Sequence, residues 1–87
     1  MELSETFHQS VEAVQKLTKR PSNEELLTLY ALFKQSTDGD ATGERPGGFD
    51  FKAIAKFDAW AEHKGKSKEV AMKEYIDLVS TLLAKYS

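Results

Sequence analysis

Residues 22–39 read SNEELLTLYALFKQSTDG and carry the clearest secondary-structure signal in the chain. The segment opens with a capping-box pattern, in which the hydroxyl of Ser22 reaches the amide of Glu25 and the Glu25 carboxylate reaches back. Apolar residues then recur at the spacing of one helix face, and Gly39 supplies a left-handed stop. The segment therefore predicts an amphipathic α-helix that begins after Ser22 and ends near Gly39.

Three further segments have helical periodicity, and none alternates as a strand does. The first helix precedes Pro21, since the residue before a proline is pushed out of helical geometry. The third begins at Asp50 and closes at Gly65, and the fourth is capped by Ser67. The connection over residues 38–50 is long for a helical bundle, where ~2–8 residues are usual. We expect an all-α protein, an antiparallel four-helix bundle with one long loop between helices two and three.

The composition is that of one globular domain. The chain has 87 residues, of which 40% are apolar and 30% charged, with a net charge of −2. Domains typically have roughly 150 residues, so residues 1–87 are expected to form a single domain. The slightly acidic charge argues against nucleic acid as a partner, because phosphate-backbone binders carry a basic excess. The absence of cysteine excludes disulfides, thiol nucleophiles and sulfur-ligated zinc.

The amino-terminal residues 1–5 bear on localisation. They include acidic side chains where a secretory signal peptide needs basic ones, and no apolar run follows them. The apolar stretches are also far shorter than the ~20 residues that cross a bilayer. We therefore expect a cytoplasmic protein without stable membrane insertion. The absence of an obvious apolar patch in the sequence favours a monomer.

The sequence offers little for catalysis or for metal binding. The two histidines, His8 and His63, are far apart, and neither a nucleophile elbow nor a phosphate-binding Gly-rich loop is present. Asp38 and Asp40 begin half of a calcium-loop pattern, but Phe49 stands where that pattern needs a bidentate Glu. We expect a binding protein rather than an enzyme, with no metal and no cofactor.

Lysines and aromatic rings recur together at helical spacing. Lys34 neighbours Tyr30 and Phe33 on the second helix, and Lys52 and Lys56 lie one turn apart on the third. A ring that stacks on a base beside lysines that meet phosphates suits a nucleotide-bearing ligand. The same residues also fit a solvated basic face. A helical protein–protein interaction module without a small-molecule ligand remains the alternative.

The segment YALFKQST at residues 30–37, followed by Gly39 and Asp40, resembles the Tyr-x-x-Tyr-Lys-Gln-Ala-Thr-x-Gly-Asp segment of the acyl-CoA-binding proteins. Further blocks are similar to the same family: residues 45–47, 50–51, 55–60, 64–65, 71–72 and 75–76. The likeness covers nearly the whole chain and keeps its spacing throughout. It implies an up-down-down-up four-helix fold with a shallow bowl for one long-chain acyl-CoA, which is bound, buffered and transported without a catalytic step.

The resemblance also implies roles for individual residues. Tyr30 and Lys34 would contact the adenine nucleotide and its phosphates, and Lys56 would pair with the 3′-phosphate. The other implied contacts are Lys52 near the phosphates, Tyr75 near the nucleotide, and Leu26 and Leu27 on the acyl chain. Three candidate site residues depart from the family pattern: Phe33 replaces a tyrosine, Gln15 replaces a lysine, and Arg20 replaces a lysine before the proline. A fourth departure, Phe57 for a tryptophan, keeps an apolar ring on the third helix.

Overall fold

The computed structural model describes residues 2–86, so the two ends of the predicted domain, Met1 and Ser87, lie outside it. Residues 2–86 form four α-helices and no strand. These are α1 (Leu3–Gln15), α2 (Asn23–Thr37), α3 (Phe51–Ala61) and α4 (Lys68–Tyr86). The predicted all-α, four-helix architecture is confirmed.

Three helices begin at the capping residues that the sequence indicates. The Ser22 hydroxyl accepts a hydrogen bond from the Glu25 amide at 3.1 Å, and Glu25 Oε1 accepts one from the Ser22 amide at 2.8 Å. Asp50 Oδ1 accepts from the Ala53 amide at 3.1 Å, and the Ser67 hydroxyl accepts from the amide three residues on at 3.1 Å. These bonds satisfy amides that a helix start otherwise leaves unpaired.

Two helices end earlier than the sequence predicts. The α1 helix stops at Gln15 rather than at the residues before Pro21, and Leu17 packs against the core from the turn that follows. The α3 helix stops at Ala61, and tighter turns continue the chain to Gly65, whose φ is 91°. Helix ends commonly tighten into such turns because the last carbonyls lack intrahelical partners.

The α2 and α3 helices run parallel to each other. Lys56 lies against the ring of Tyr30, and one turn further along both helices Lys34 lies against Trp60. A connection between parallel neighbours must return the chain along a whole helix, and α2, with 15 residues, is ~22 Å long. Residues 38–50 can span up to ~43 Å when extended. The length of this loop therefore follows from the topology.

The other helix directions follow from contacts at the helix ends. Glu25, at the start of α2, accepts a hydrogen bond from the hydroxyl of Tyr86 at the end of α4, so these two helices are antiparallel. Phe7, in the first half of α1, stacks on Phe33 in the second half of α2. The α1 helix is therefore also antiparallel to α2, and the order is up-down-down-up.

The core lies between α1, α2 and α4. Its buried members are Phe7, Leu29, Leu32, Tyr75, Val79 and Leu82. Within residues 2–86, α4 packs on both α1 and α2, whereas α3 packs closely on α2 alone. No residue of α3 is fully buried. The molecule is accordingly thin, with extents of 38 × 28 × 15 Å, and α3 forms an outer wall with an open seam against α2.

The long loop is held to the end of α2 by a buried amide. Gln35 is fully buried, and its Nε2 donates to Asp40 Oδ1 and to the Lys66 carbonyl, both at 2.8 Å. Asp40 Oδ1 also accepts from the Gly65 amide at 2.9 Å, and this bond is the main cause that lowers the pKa of the Asp40 carboxyl. Trp60 Nε1 donates to the carbonyl of Gly39 at 2.7 Å. These bonds join the end of α2 and the start of the loop to the end of α3 and the turn that follows it.

Candidate functional site

A groove of about 590 Å³ lies along the seam between α2 and α3. Its walls are Arg20, Asn23, Leu26, Leu27, Tyr30, Lys52, Ala55 and Lys56. Six of the ten site residues expected from the sequence are in this set: Arg20, Leu26, Leu27, Tyr30, Lys52 and Lys56. The parallel arrangement of α2 and α3 brings them together, since equivalent turns of the two helices face each other across the seam.

The polar part of the groove is cationic. Arg20, Lys52 and Lys56 contribute three positive charges, and none of the lining residues is acidic. Lys56 Nζ lies 5.0 Å from the centroid of the Tyr30 ring, a distance typical of a cation–π contact. An anion entering the groove therefore meets positive charge without competing carboxylates, beside a ring face on which a flat heterocycle can stack.

The floor of the same groove is apolar. Leu26, Leu27 and Ala55 are half-buried and line it together with the polar residues. Leu26 precedes Tyr30 by four residues, so both lie on one face of α2, with the leucines nearer the helix start. The groove thus extends from Lys56 and Tyr30 to the leucines near the start of α2, where Lys52 and Arg20 also lie, so cations line the whole length of the leucine floor.

Lys34 lies beside the groove, one turn beyond Tyr30. Its ammonium is 5.0 Å from the Trp60 ring centroid and forms an ion pair with Asp38. The hydrogen bond that the Lys34 ammonium donates to the Asp38 carboxylate is the main cause that raises the pKa of Lys34. Ion pairs at the surface contribute only ~0–1 kcal/mol, so a phosphate can displace Asp38 at small cost.

Phe33 and Tyr75 form an aromatic cluster with Phe7 instead of lining the groove. The Phe33 ring is 5.9 Å from that of Phe7 and 6.4 Å from that of Tyr75, measured between centroids. Tyr75 is only 4% exposed, and burial raises the pKa of its phenol. Phe33 remains 36% exposed, so the cluster offers one ring edge to solvent. Gln15 is exposed at the end of α1 and is also outside the groove lining.

Two lining residues were not anticipated from the sequence. Asn23 follows the capping serine, and its side-chain oxygen accepts a hydrogen bond from Arg20 at 3.0 Å, which orients that guanidinium. Ala55 lies between the two lysines of α3, where a small side chain leaves room for the groove. Helical spacing could have identified both residues, because Asn23 precedes Leu27 by four residues and Ala55 follows Lys52 by three, which places each on the face of a predicted site residue.

A second groove, of about 430 Å³, lies on the other side of Leu27 and Ala55, which line both. Its charged lining is opposite in sign: Glu24, Asp58 and Glu62. His63 also lines it, and burial lowers the pKa of this imidazole. This groove repels phosphates, so the electrostatics of the seam select the cationic side for an anionic ligand.

In the described part of the chain, no helix is both long and apolar enough to cross a bilayer. Between Glu2 and Tyr86, no group of three or more His, Cys, Asp or Glu side chains is arranged to hold a metal ion.

Comparison with known proteins identifies relatives over almost the full length. The family profile described as "Acyl CoA binding protein" matches residues 4–79. The acyl-CoA-binding protein homolog of Drosophila melanogaster is 52% identical over 85 residues, covering 98% of this chain and 99% of the relative. The acyl-CoA-binding protein of Saccharomyces cerevisiae is also 52% identical over 85 residues, with 98% of each chain covered.

Solved structures agree with these relatives. The crystal structure of Oryza sativa Acyl-CoA-Binding Protein 2 superposes with a TM-score of 0.92 at 45% identity, covering 97% of this chain and 93% of that one. The solution structure of the yeast acyl coenzyme A binding protein has a TM-score of 0.77 at 52% identity, with 97% and 98% covered. The chain belongs to the acyl-CoA-binding protein family.

Proposed function

We propose that this chain binds long-chain acyl-CoA esters in the α2–α3 groove and buffers and transports them in the cytoplasm, without a catalytic step. Residues 1–87 act as one binding domain, as a monomer. The observation that carries the proposal is one groove that combines three cations, a ring face and a leucine floor: Arg20, Lys52, Lys56, Tyr30, Leu26 and Leu27. An acyl-CoA needs this combination because its head is highly charged and its tail is apolar.

The head of the ligand lies against the cationic side chains that line the groove. Lys56 pairs with the 3′-phosphate, Tyr30 stacks on the adenine, and Lys52 and Arg20 face the remaining phosphates. Lys34 joins them by exchanging Asp38 for a phosphate oxygen. Each charge-assisted hydrogen bond to phosphate contributes ~1.5–3 kcal/mol. The head therefore anchors and orients the ligand.

The acyl chain lies on Leu26, Leu27 and Ala55. Each methylene that leaves water contributes about 0.8 kcal/mol. A sixteen-carbon tail thus offers on the order of 10 kcal/mol before the costs of ordering are subtracted. This exceeds what two or three lysines supply, so the tail sets the affinity. Enclosing it limits detergent action and shields the thioester from water.

The aromatic cluster and Gln15 have supporting roles. Phe33 lacks the phenolic hydroxyl that the family pattern places there, so its partly exposed ring offers only apolar contact to the nucleotide. The rings of Tyr75 and Phe33 both pack against the ring of Phe7, so Tyr75 helps to hold Phe33 in place. Gln15 is exposed and lies outside the groove lining, so it is expected to contribute least.

The test is native mass spectrometry of the purified protein, alone and with excess palmitoyl-CoA. The proposal predicts saturation at one ligand per chain, with co-purified acyl-CoA before any is added. A protein–protein interaction module, the alternative, would remain without ligand at every concentration and would instead purify with a stable protein partner. The family relationship does not favour that alternative.

A further inference from the structure

Arg20 is held at the wall of the α2–α3 groove by two hydrogen bonds, and both acceptors are uncharged. Its Nη2 donates to Asn23 Oδ1 at 3.0 Å, and its Nη1 donates to the carbonyl of Pro21 at 3.4 Å. A guanidinium has five N–H donors in a rigid planar fork, so these two bonds leave most of the donors for other acceptors. Because Arg20 is exposed and lines the groove together with Asn23, a ligand in the groove can reach those donors.

The carboxylates that follow Arg20 most closely in the sequence are engaged elsewhere. The first turn of α2 contains two acidic residues, Glu24 and Glu25. Glu25 accepts hydrogen bonds from the Tyr86 hydroxyl at 2.6 Å and from the Lys85 ammonium at 3.1 Å. Glu24 lines the second groove, whose charged carboxylates lie on the other side of the seam. Among residues 2–86, Arg20 therefore forms no ion pair and keeps its full positive charge.

Asn23 is the first residue of α2, a position where a carboxylate is normally favourable. The unpaired amides at a helix start carry partial positive charge, which stabilises acidic side chains there. An aspartate at this position has the shape of asparagine and would accept the same hydrogen bond from Arg20, but as an ion pair. That pair would offset the charge of the guanidinium and add a carboxylate to a groove lining that has none. The neutral side chain is thus better suited to binding an anion than to stabilising the helix.

We propose that Asn23 is a positioning residue that keeps Arg20 available to a phosphate of the ligand. Its amide oxygen fixes the direction of the guanidinium, and its neutrality leaves the positive charge of Arg20 for the phosphate. Arg20 contacts the phosphate, whereas Asn23 acts through Arg20. This inference rests on the proposed function, because it takes the anion in the groove to be a phosphate of the acyl-CoA head.

The test is calorimetric titration with palmitoyl-CoA and with S-palmitoyl-pantetheine, an ester that carries the tail but neither phosphate nor adenine. The isosteric variant Asn23→Asp is expected to bind palmitoyl-CoA about tenfold more weakly and the pantetheine ester as the unmodified protein does. Its midpoint of urea unfolding is expected to stay equal or to rise, because a carboxylate suits the helix start. A purely structural role of Asn23 would move both affinities together.

The matched control is Gln9→Glu, the same amide-to-carboxylate change at an exposed position of α1 that lines neither groove of the α2–α3 seam. It changes the net charge of the protein by the same amount as Asn23→Asp. The control is expected to bind both esters as the unmodified protein does. A loss of palmitoyl-CoA affinity equal to that of Asn23→Asp would assign the effect to net charge and overturn the inference.

A double-mutant cycle shows whether Asn23 acts through Arg20. Asn23→Ala is expected to weaken palmitoyl-CoA binding roughly threefold in the unmodified background. In the Arg20→Gln background it is expected to have no further effect, because the guanidinium that Asn23 positions is then absent. Equal losses in the two backgrounds would show that Asn23 supports the site without Arg20, which overturns the inference.

The remaining outcomes separate the positioning role from the binding function. If Asn23→Asp binds palmitoyl-CoA as tightly as the unmodified protein, or loses affinity equally for both esters, the positioning role is overturned while binding itself stands. An unchanged palmitoyl-CoA affinity in Arg20→Gln overturns it as well. If the unmodified protein bound neither ester, the proposed function would fail and the positioning role with it. Circular dichroism confirms that each variant is folded.

Discussion

The ammonium of Lys56 on α3 lies 5.0 Å from the centre of the Tyr30 ring on α2, across the seam of two parallel helices. This contact places a positive charge and a π-face together at one end of an apolar groove. A cation–π contact at an exposed site contributes ~0.5–1 kcal/mol, which is enough to orient the lysine side chain. The Lys56 ammonium is therefore held beside the Tyr30 ring, where we propose that it meets a phosphate.

Replacement of Lys56 by alanine is expected to weaken binding of palmitoyl-CoA by roughly 10- to 100-fold, the equivalent of one charge-assisted hydrogen bond. The same variant is expected to bind 3′-dephospho-palmitoyl-CoA almost as the unmodified protein does, because the phosphate that Lys56 meets is missing from that ligand. Calorimetry with both esters measures this. Lys73→Ala, at an exposed lysine of α4, is the control. Equal losses on both ligands would remove Lys56 from the 3′-phosphate.

Asp38→Asn is expected to leave palmitoyl-CoA affinity unchanged or to raise it by up to ~5-fold. Asp38 holds Lys34 in a surface ion pair, and such pairs are worth only ~0–1 kcal/mol. Without the carboxylate, Lys34 no longer has to leave a partner in order to meet a phosphate. Lys34→Ala is the opposing variant and is expected to weaken binding. A clear loss of affinity in Asp38→Asn would show that Lys34 acts only when paired.

Glu25 is expected to make the stability of the fold depend on acid pH. The hydrogen bond from Tyr86 is the main cause that lowers the pKa of Glu25 from 4.5 to about 2, and it joins the start of α2 to the end of α4. Because the folded-state pKa is depressed, this contribution is complete above pH 4.5 and is lost as the pH falls towards 2.

The measurement is the midpoint of urea unfolding between pH 6 and pH 2.5. The unmodified protein is expected to lose more stability over this range than Glu25→Gln, which has no such carboxylate to protonate. Glu24→Gln, at the neighbouring exposed carboxylate, is expected to follow the unmodified protein. Identical pH profiles for the unmodified protein and Glu25→Gln would contradict the role given to Glu25.

Leu82→Ala is expected to lower the free energy of unfolding by about 2–5 kcal/mol, since Leu82 is fully buried where α4 meets the core. Denaturant titration measures this, and Val70→Ala, at a half-exposed position of the same helix, is the control with a small effect. At temperatures where Leu82→Ala is folded, its palmitoyl-CoA affinity is expected to be nearly unchanged, because Leu82 is not among the residues that line the α2–α3 groove. A stability loss below about 0.5 kcal/mol would contradict the description of the core.

Local signals account for most of what could be predicted of the fold. The capping box at Ser22 and Glu25 and the caps at Asp50 and Ser67 involve residues three apart, so the sequence contains both partners of each bond. The end of α1 was less predictable. Pro21 sets only an outer limit, whereas the helix ends at Gln15 and Leu17 packs on the core from the turn that follows, a tertiary contact that local spacing does not reveal.

The site was predictable only in part, because its assembly depends on contacts between helices. The resemblance named both Tyr30 and Lys56, which lie face to face in the groove. The resemblance also placed Tyr75 and Phe33 among the site residues. Helical periodicity does not distinguish a ring that faces the ligand groove from a ring that packs against Phe7. The pairing of Lys34 with Asp38 is an i, i+4 relation and could have been read from the sequence. The exposure of Phe49 and Phe51 could not, since it depends on how the long loop is anchored.

The central claim is that one groove satisfies both a charged head and an apolar tail. Calorimetric titration of the unmodified protein with palmitoyl-CoA and with free CoA, under identical salt and pH, tests it most directly. The account predicts one-to-one binding of palmitoyl-CoA with an affinity at least ~1,000-fold above that of free CoA, a net gain of about 4 kcal/mol from the tail after ordering costs. Equal affinities for the two compounds would contradict it.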